Sequence, residues 1–177
     1  MEKKLKKEPW IIIKPLSKNN LNGALKVLDK VFGKNPNDRK TYYNAFLGSL
    51  DMDKYIPLKD KAKPTYLQYF VAWEKTRKIV VGTTGLYAYR EFGTEKFGLG
   101  WYCVDPDFRG KGIGSLLLDF TIQLARQKKR KFLELWTLTD PQEEKAHRIY
   151  EKRGFKITKK EKLPEEKYET VYMELKL

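Results

Sequence analysis

The chain has a single cysteine and a single histidine among its 177 residues. One cysteine cannot form an internal disulfide, and one cysteine with one histidine cannot complete a four-ligand zinc site. The sequence therefore excludes a disulfide scaffold, a zinc finger and a multi-histidine metal centre, and we expect the protein to use no metal.

Long hydrophobic runs are also missing. The longest apolar stretches lie at 10–13, 79–81 and 115–118, far short of the ~20 residues that span a bilayer. Residues 1–8 are rich in lysine and lack the apolar core of a secretory signal. We therefore expect a cytoplasmic protein with a flexible lysine-rich tail at 1–8 and no membrane partner.

The composition is that of a folded chain. Hydrophobic residues make up 41% and aromatic residues 14%, enough to fill a core, so 9–177 is predicted to be one domain. The formal net charge is +14, but lysines are spread along the chain with acidic residues between them. This pattern favours solvated lysine-rich faces over a surface that binds nucleic acid. The alternative interpretation of the charge is a basic module that binds RNA or a ribosome.

Periodicity and turn signals give the order of elements. We expect strands at 10–16, 66–73, 78–89, 97–104, 132–138, 155–159 and 168–176. Helices are predicted after Ser17 or Asn19 as far as Gly33, within 38–50, over 112–127, and from a cap at Asp140 to Gly154. The fold class is therefore α/β, a largely antiparallel sheet of about seven strands flanked by about four helices.

The densest local signal is the run Arg109–Ser115, which places three glycines between a strand and a helix. Glycines let backbone amides approach a ligand, and a helix N-terminus favours a phosphate group. A P-loop does not fit, because Lys111 is followed by Gly112 rather than by serine or threonine. A dinucleotide fingerprint fits poorly, because its third position holds Ser115 and three strands precede the loop.

Two motifs give the chain a resemblance to a known family. The run Val104–Gly114 resembles V-x-P-x-[FY]-[QR]-x-x-G-x-[GA], the acetyl-CoA-binding motif of the GNAT superfamily of N-acetyltransferases. The run Ala146–Phe155 resembles a second motif of that family, A-x-x-[IL]-Y-x-x-x-G-F. The motifs occur in the family's order with a strand between them, and the order of elements is similar from about residue 9 to 177.

The resemblance implies a fold, a cosubstrate and residue roles. The sheet would be splayed between its fourth and fifth strands, and acetyl-CoA would donate its acetyl group directly to a primary amine of a small molecule or peptide. Tyr150 would act as general acid toward the departing thiolate. The implied cofactor-binding residues are Tyr102, Cys103 and Val104 for the pantetheine arm, and Arg109, Gly110, Lys111, Gly112, Ile113, Gly114 and Ser115 for the pyrophosphate.

The chain departs from the family pattern at Glu143, where many members carry asparagine. The general base is open, with Glu134 and a water chain as the alternatives. Packing is the favoured role for Cys103, and His147 is not expected to take part in catalysis. A CoA-sensing domain without turnover also remains an alternative, and a homodimer is left open.

The acceptor is predicted from a cluster of aromatic and acidic side chains. In the family the amine approaches from the side opposite CoA, and here that region contains Tyr42, Tyr43, Phe46, Asp51, Asp53 and Tyr55. Such groups hold cations through ring and charge contacts. We therefore expect a small cationic amine or a peptide amine as acceptor, rather than an anionic amino sugar phosphate.

Overall fold

The computed structural model describes residues 9–33, 35–56, 63–162, 164 and 166–177, so the predicted tail at 1–8 lies outside the described residues. The strands are β1 Ile11–Pro15, β2 Tyr66–Glu74, β3 Ile79–Ala88, β4 Lys96–Val104, β5 Phe132–Leu138, β6 Lys156–Glu161 and β7 Thr170–Lys176. The helices are α1 Lys18–Phe32, α2 Pro36–Leu50, α3 Met52–Tyr55, α4 Ile113–Gln127 and α5 Glu144–Glu151. No helix within these ranges is long and apolar enough to cross a membrane.

The strands form one seven-stranded sheet in the order β1-β2-β3-β4-β5-β7-β6, with the pair β4–β5 parallel and every other pair antiparallel. This confirms the predicted fold class. The parallel pair joins only 96–98 of β4 to 132–134 of β5. Beyond Gly98 and Glu134 the two strands separate, which leaves a cleft between their carboxyl ends.

Helices pack on opposite faces of the sheet. Tyr69 stacks on Phe46 of α2, whereas the next residue, Phe70, contacts Phe120 of α4. Because successive side chains of a strand point to opposite faces, α2 and α4 lie on different sides. We call these the α2 face and the α4 face. Burial of successive residues along β2 and β3 follows from this double cover.

Strand β4 has a β-bulge at Trp101. Gly100 pairs with Gly85 and Cys103 with Thr83, so β4 has one residue more than β3 between the two pairs. Trp101 has a φ of +42°, which is costly for a residue with a large side chain. The Thr83 hydroxyl donates to the Trp101 carbonyl at 2.6 Å, and the indole ring packs edge-on against the aromatic rings of Phe32 and Tyr42.

Two local details differ from the sequence prediction. The sequence did not predict the short helix α3. It predicted that Asp140 caps an α-helix, which it does not. Its carboxylate accepts a hydrogen bond from the N–H of Gln142 at 2.9 Å and caps a 3₁₀ turn at Pro141–Glu143. The α-helix α5 begins only at Glu144, because the first turn is wound in the tighter 3₁₀ form.

Candidate active site

The loop between β4 and α4 needs glycine for its backbone conformation. Gly110 and Gly112 have φ values of +78° and +80°, in the left-handed region. A Cβ at either position would meet no atom within 4 Å. Crowding therefore does not select these glycines, and the space in front of the loop is open to a ligand.

The same loop presents unpaired donors. The backbone N–H groups of Gly110 to Ser115 take no part in the hydrogen bonds formed by the described residues. They lie at the N-terminus of α4, where the helix dipole favours negative charge. The Arg109 Nε donates to the Val104 carbonyl at 3.2 Å, and the Lys111 ammonium lies 4.9 Å from the Phe108 ring centre. Amides and cations together form an anion cradle, which we define as Arg109–Ser115.

Tyr150 is connected to this cradle through Tyr102. It is only 6% exposed, and its ring centre is 5.9 Å from that of Tyr102 and 5.8 Å from that of Phe155. Tyr102 in turn reaches the cradle, since a Cβ on Gly114 would lie 2.8 Å from its hydroxyl. Burial raises the pKa of Tyr150 well above its ordinary value, so its hydroxyl stays protonated.

The pattern of the acetyltransferase (GNAT) family matches residues 37–155, about two thirds of the chain. The chain belongs to this family. An uncharacterized N-acetyltransferase of Methanocaldococcus jannaschii is 40% identical over 52 residues, a stretch that is 29% of this chain and only 22% of the length of that relative.

Solved structures share the GNAT fold. A GNAT-family acetyltransferase from Desulfovibrio desulfuricans superposes with a TM-score of 0.73 at 15% identity, over 94% of this chain and 98% of the other. A GNAT acetyltransferase from Elizabethkingia anophelis, solved with acetyl-CoA bound, has a TM-score of 0.65 at 20% identity, over 96% of this chain and 100% of the other. At these identities the likeness concerns the fold.

The pairing of the GNAT strand β4 with β5 ends before the bulge. Among the described residues, no strand pairs with the edge of β4 that faces β5 after Gly98. Tyr102, Cys103 and Val104, which we predict to bind the pantetheine arm, lie on this stretch. The Cys103 side chain is buried, with its sulfur 3.3 Å from the Thr83 hydroxyl, and burial raises the pKa of the thiol to about 11.

A bidentate ion pair joins α4 to the end of α5. The Arg153 Nε and Nη2 donate to the two carboxylate oxygens of Asp119 at 2.7 and 3.0 Å. Arg153 lies three residues after Tyr150 in the second GNAT motif. The pair therefore fixes the position of the tyrosine helix relative to the helix that carries the cradle.

We expect this ion pair to be measurable by a double-mutant cycle. Asp119→Ala, Arg153→Ala and the double variant should show a coupling of about 1 kcal/mol in the free energy of unfolding, the upper range for a partly exposed pair. Urea denaturation at low salt measures it. The exposed Glu144–Arg148 pair on α5 is the control, with about 0.3–0.5 kcal/mol expected. Equal coupling in the two cycles would show that bidentate geometry adds nothing.

The residues predicted for the acceptor are divided between the core and the surface. Tyr42 and Phe46 are fully buried, and the Tyr42 hydroxyl donates to Asp29. Asp51 caps α3 by accepting from the N–H of Lys54, and Asp53 forms an ion pair with Lys63 at 2.8 Å. Tyr43 and Tyr55 lie beside the cations of neighbouring residues. Core packing therefore accounts for Tyr42 and Phe46 and helix capping for Asp51, while the acceptor itself stays a prediction.

The other polar residues of interest have structural partners. The Glu143 carboxylate accepts a hydrogen bond from the Thr137 hydroxyl at 2.8 Å, and the His147 Nε2 lies 2.9 Å from the Leu138 carbonyl. Both contacts tie α5 and its 3₁₀ turn to β5. In the described part of the chain, no group of three or more histidine, cysteine, aspartate or glutamate side chains is arranged to hold a metal ion.

Proposed function

We propose that this GNAT acetyltransferase transfers an acetyl group from acetyl-CoA to a primary amine by direct attack, with Tyr150 as general acid. The observation that carries the proposal is the anion cradle together with Tyr150, which packs on Tyr102 beside the cradle. The unpaired amides suit a pyrophosphate, and the protonated phenol suits a departing thiolate.

The cradle would hold the pyrophosphate through the amides of Gly110 to Ser115, with Arg109 and Lys111 adding positive charge. The pantetheine arm would then enter the cleft along the unpaired edge of β4. Backbone groups of Tyr102, Cys103 and Val104 would bond this arm and polarise the thioester carbonyl. The peptide edge is suited to this task because, within the described ranges, no strand uses its donors and acceptors.

The amine nitrogen would attack the thioester carbon, the C–S bond would break, and the sulfur would take a proton from Tyr150. A covalent acetyl-cysteine step is disfavoured, since the Cys103 thiol is buried and its raised pKa keeps it protonated at neutral pH. Direct transfer needs only the two substrates in the cleft and a proton acceptor for the amine.

Two measurements test the function. Titration calorimetry should detect acetyl-CoA binding with a Kd of about 10 μM or below, as expected of several charge-assisted hydrogen bonds to phosphate. An assay of free CoA release with a panel of amines and peptides should then detect transfer. Undetectable binding at millimolar acetyl-CoA would refute the proposal. Binding without release of CoA in the presence of any amine would instead indicate a CoA-sensing domain.

A further inference from the structure

The turn that follows α4 concentrates positive charge. Five of the six residues at 126–131 are lysine or arginine, and none is acidic. A helix C-terminus favours cations, but this effect falls off within the last turn, which already holds Arg126. The dipole of α4 therefore does not by itself account for the four further cations. We call residues 126–131 the basic turn.

Two of these cations are bound by the protein itself. The Arg130 Nη1 donates to the Thr94 carbonyl, and the guanidinium carbon lies 4.5 Å from the ring centre of Phe97. Lys131 forms an ion pair with Glu95. These contacts fix the basic turn against the segment that leads into β4.

The other three cations, Arg126, Lys128 and Lys129, are exposed. Within the described ranges, none of them has a carboxylate partner. The Lys128 Nζ lies 5.1 Å from the ring centre of Tyr66, which does not neutralise its charge. Three like charges on one turn repel each other, and a bound anion would relieve this repulsion.

Lys129 occupies a position at which glycine would be more stable. Its φ is +57°, in the left-handed region. The Lys129 N–H donates to the Arg126 carbonyl at 2.8 Å, and the Arg130 N–H donates to the Ala125 carbonyl at 3.3 Å. This is the Schellman arrangement, in which the left-handed residue is usually glycine. The lysine therefore costs stability, and what it adds over glycine is an exposed ammonium group.

The basic turn lies far from the anion cradle. The cradle is at the N-terminus of α4 and the basic turn at its C-terminus, and a helix of 15 residues is about 22 Å long. A pyrophosphate held in the cradle therefore does not neutralise these cations. The net charge of +14 adds long-range attraction for a second, larger anion.

We propose that the basic turn docks the phosphate backbone of a nucleic-acid duplex, with Arg126, Lys128 and Lys129 contacting phosphates. Neighbouring cations suit this partner because phosphates follow one another closely along a duplex. The basic turn contains no apolar or aromatic residue. A lipid surface is therefore disfavoured, since helices that lie on one also bury apolar groups. A single strand is disfavoured because its bases stack on aromatic side chains.

Fluorescence anisotropy with a short RNA duplex and a DNA duplex of the same sequence tests the surface. The wild type should bind with a Kd of about 10 μM or below at about 50 mM salt, and the ratio of the two affinities identifies the preferred nucleic acid. Each phosphate neutralised contributes about 0.9 to the slope of log K against log salt for a DNA duplex. Replacing Arg126, Lys128 and Lys129 together with glutamine should therefore reduce that slope by about 2.7. An unchanged slope, or no binding by the wild type, would overturn the inference.

Lys129→Gly separates a docking role from a structural one. This variant should raise Tm by about 2–4 °C, because glycine relieves the left-handed strain, and should reduce the salt slope by about 0.9. A purely structural lysine would leave the slope unchanged, which would contradict its contact with a phosphate.

Lys78→Gly is the matched control. Lys78 is also exposed and has a φ of +56°, in the turn between β2 and β3. That turn lies at the cradle end of the sheet, since the Arg77 guanidinium carbon is 5.4 Å from the ring centre of Phe108. The control should gain thermal stability and keep the salt slope of the wild type. Equal losses of slope in the two glycine variants would mean that net charge alone attracts the duplex, and would overturn the inference.

Competitors distinguish the other partners. Saturating acetyl-CoA should leave the affinity for the duplex unchanged, because the cradle lies at the opposite end of α4. Displacement by acetyl-CoA would place the duplex at the cradle and overturn the inference. Tighter binding to phosphatidylserine vesicles or to polyglutamate than to either duplex would also overturn it, in favour of a lipid surface or an acidic protein. The triple glutamine variant should bind acetyl-CoA as the wild type does, which checks that it folds.

Discussion

Replacing Gly112 with leucine is expected to remove measurable acetyl-CoA binding from a protein that still folds. Position 112 has a φ of +80°, which is strained for leucine, so the loop must change its conformation. Its amide N–H groups then no longer point toward the pyrophosphate. Loss of two charge-assisted hydrogen bonds at ~1.5–3 kcal/mol each lowers affinity by at least about 100-fold. Titration calorimetry measures the affinity, and circular dichroism checks the fold.

Gly93→Leu is the matched control for this prediction. Gly93 also has a positive φ, +58°, and a Cβ there would meet no atom within 4 Å, but it lies in the turn before β4 and away from the cradle. This variant should lose thermal stability while keeping its affinity for acetyl-CoA. Equal affinity losses in the two variants would mean that general strain, and not the cradle, controls binding.

Replacing Tyr150 with phenylalanine is expected to lower kcat by about 100-fold, the lower range for loss of a general acid. Acetyl-CoA affinity and stability should change little, because the hydroxyl makes no hydrogen bond with any described residue and the ring packing is retained. Since burial raises the pKa of Tyr150, the wild-type rate should show no loss from its ionisation below about pH 10. Steady-state kinetics between pH 6 and 10 measures both effects.

Tyr66→Phe is the control for the loss of a phenol. Tyr66 packs on Phe97 near the other end of β4, and its hydroxyl donates to Gln68 rather than facing the cleft. Its kcat should match that of the wild type. If Tyr150→Phe lowered acetyl-CoA affinity as much as kcat, Tyr150 would be a packing residue and the proton would come from solvent.

The order of elements and the anion cradle were predictable because their signals are local. Residues of high strand propensity on either side of a short polar turn mark β2 and β3, a 3.6-residue period marks α4, and the glycines of Arg109–Ser115 stand between a strand and a helix. A glycine-rich turn favours positive φ values, and Gly110 and Gly112 have them. Short-range preferences were sufficient for these features.

The acceptor region was not predictable in the same way. Tyr42 and Phe46 have the composition of a binding surface, but tertiary packing against Trp101 and Tyr69 makes them core residues. Alternation along β5 separates Leu135 from Trp136, yet it does not tell which face lacks a helix. That depends on where α1 and α2 end on the sheet and on the bulge at Trp101, both of which are set by long-range contacts.

The burial of Cys103 has a practical consequence for following the reaction. The chain has no other cysteine. Cys103 is buried, and burial raises the pKa of its thiol to about 11. The native enzyme should therefore react slowly with a thiol-reactive dye, since the thiolate is the reactive form. Free CoA released by transfer would be the fast-reacting thiol in the mixture, which permits a continuous assay with cysteine-free peptides. In denaturant each unfolded chain exposes one thiol, so the same dye would count unfolded molecules.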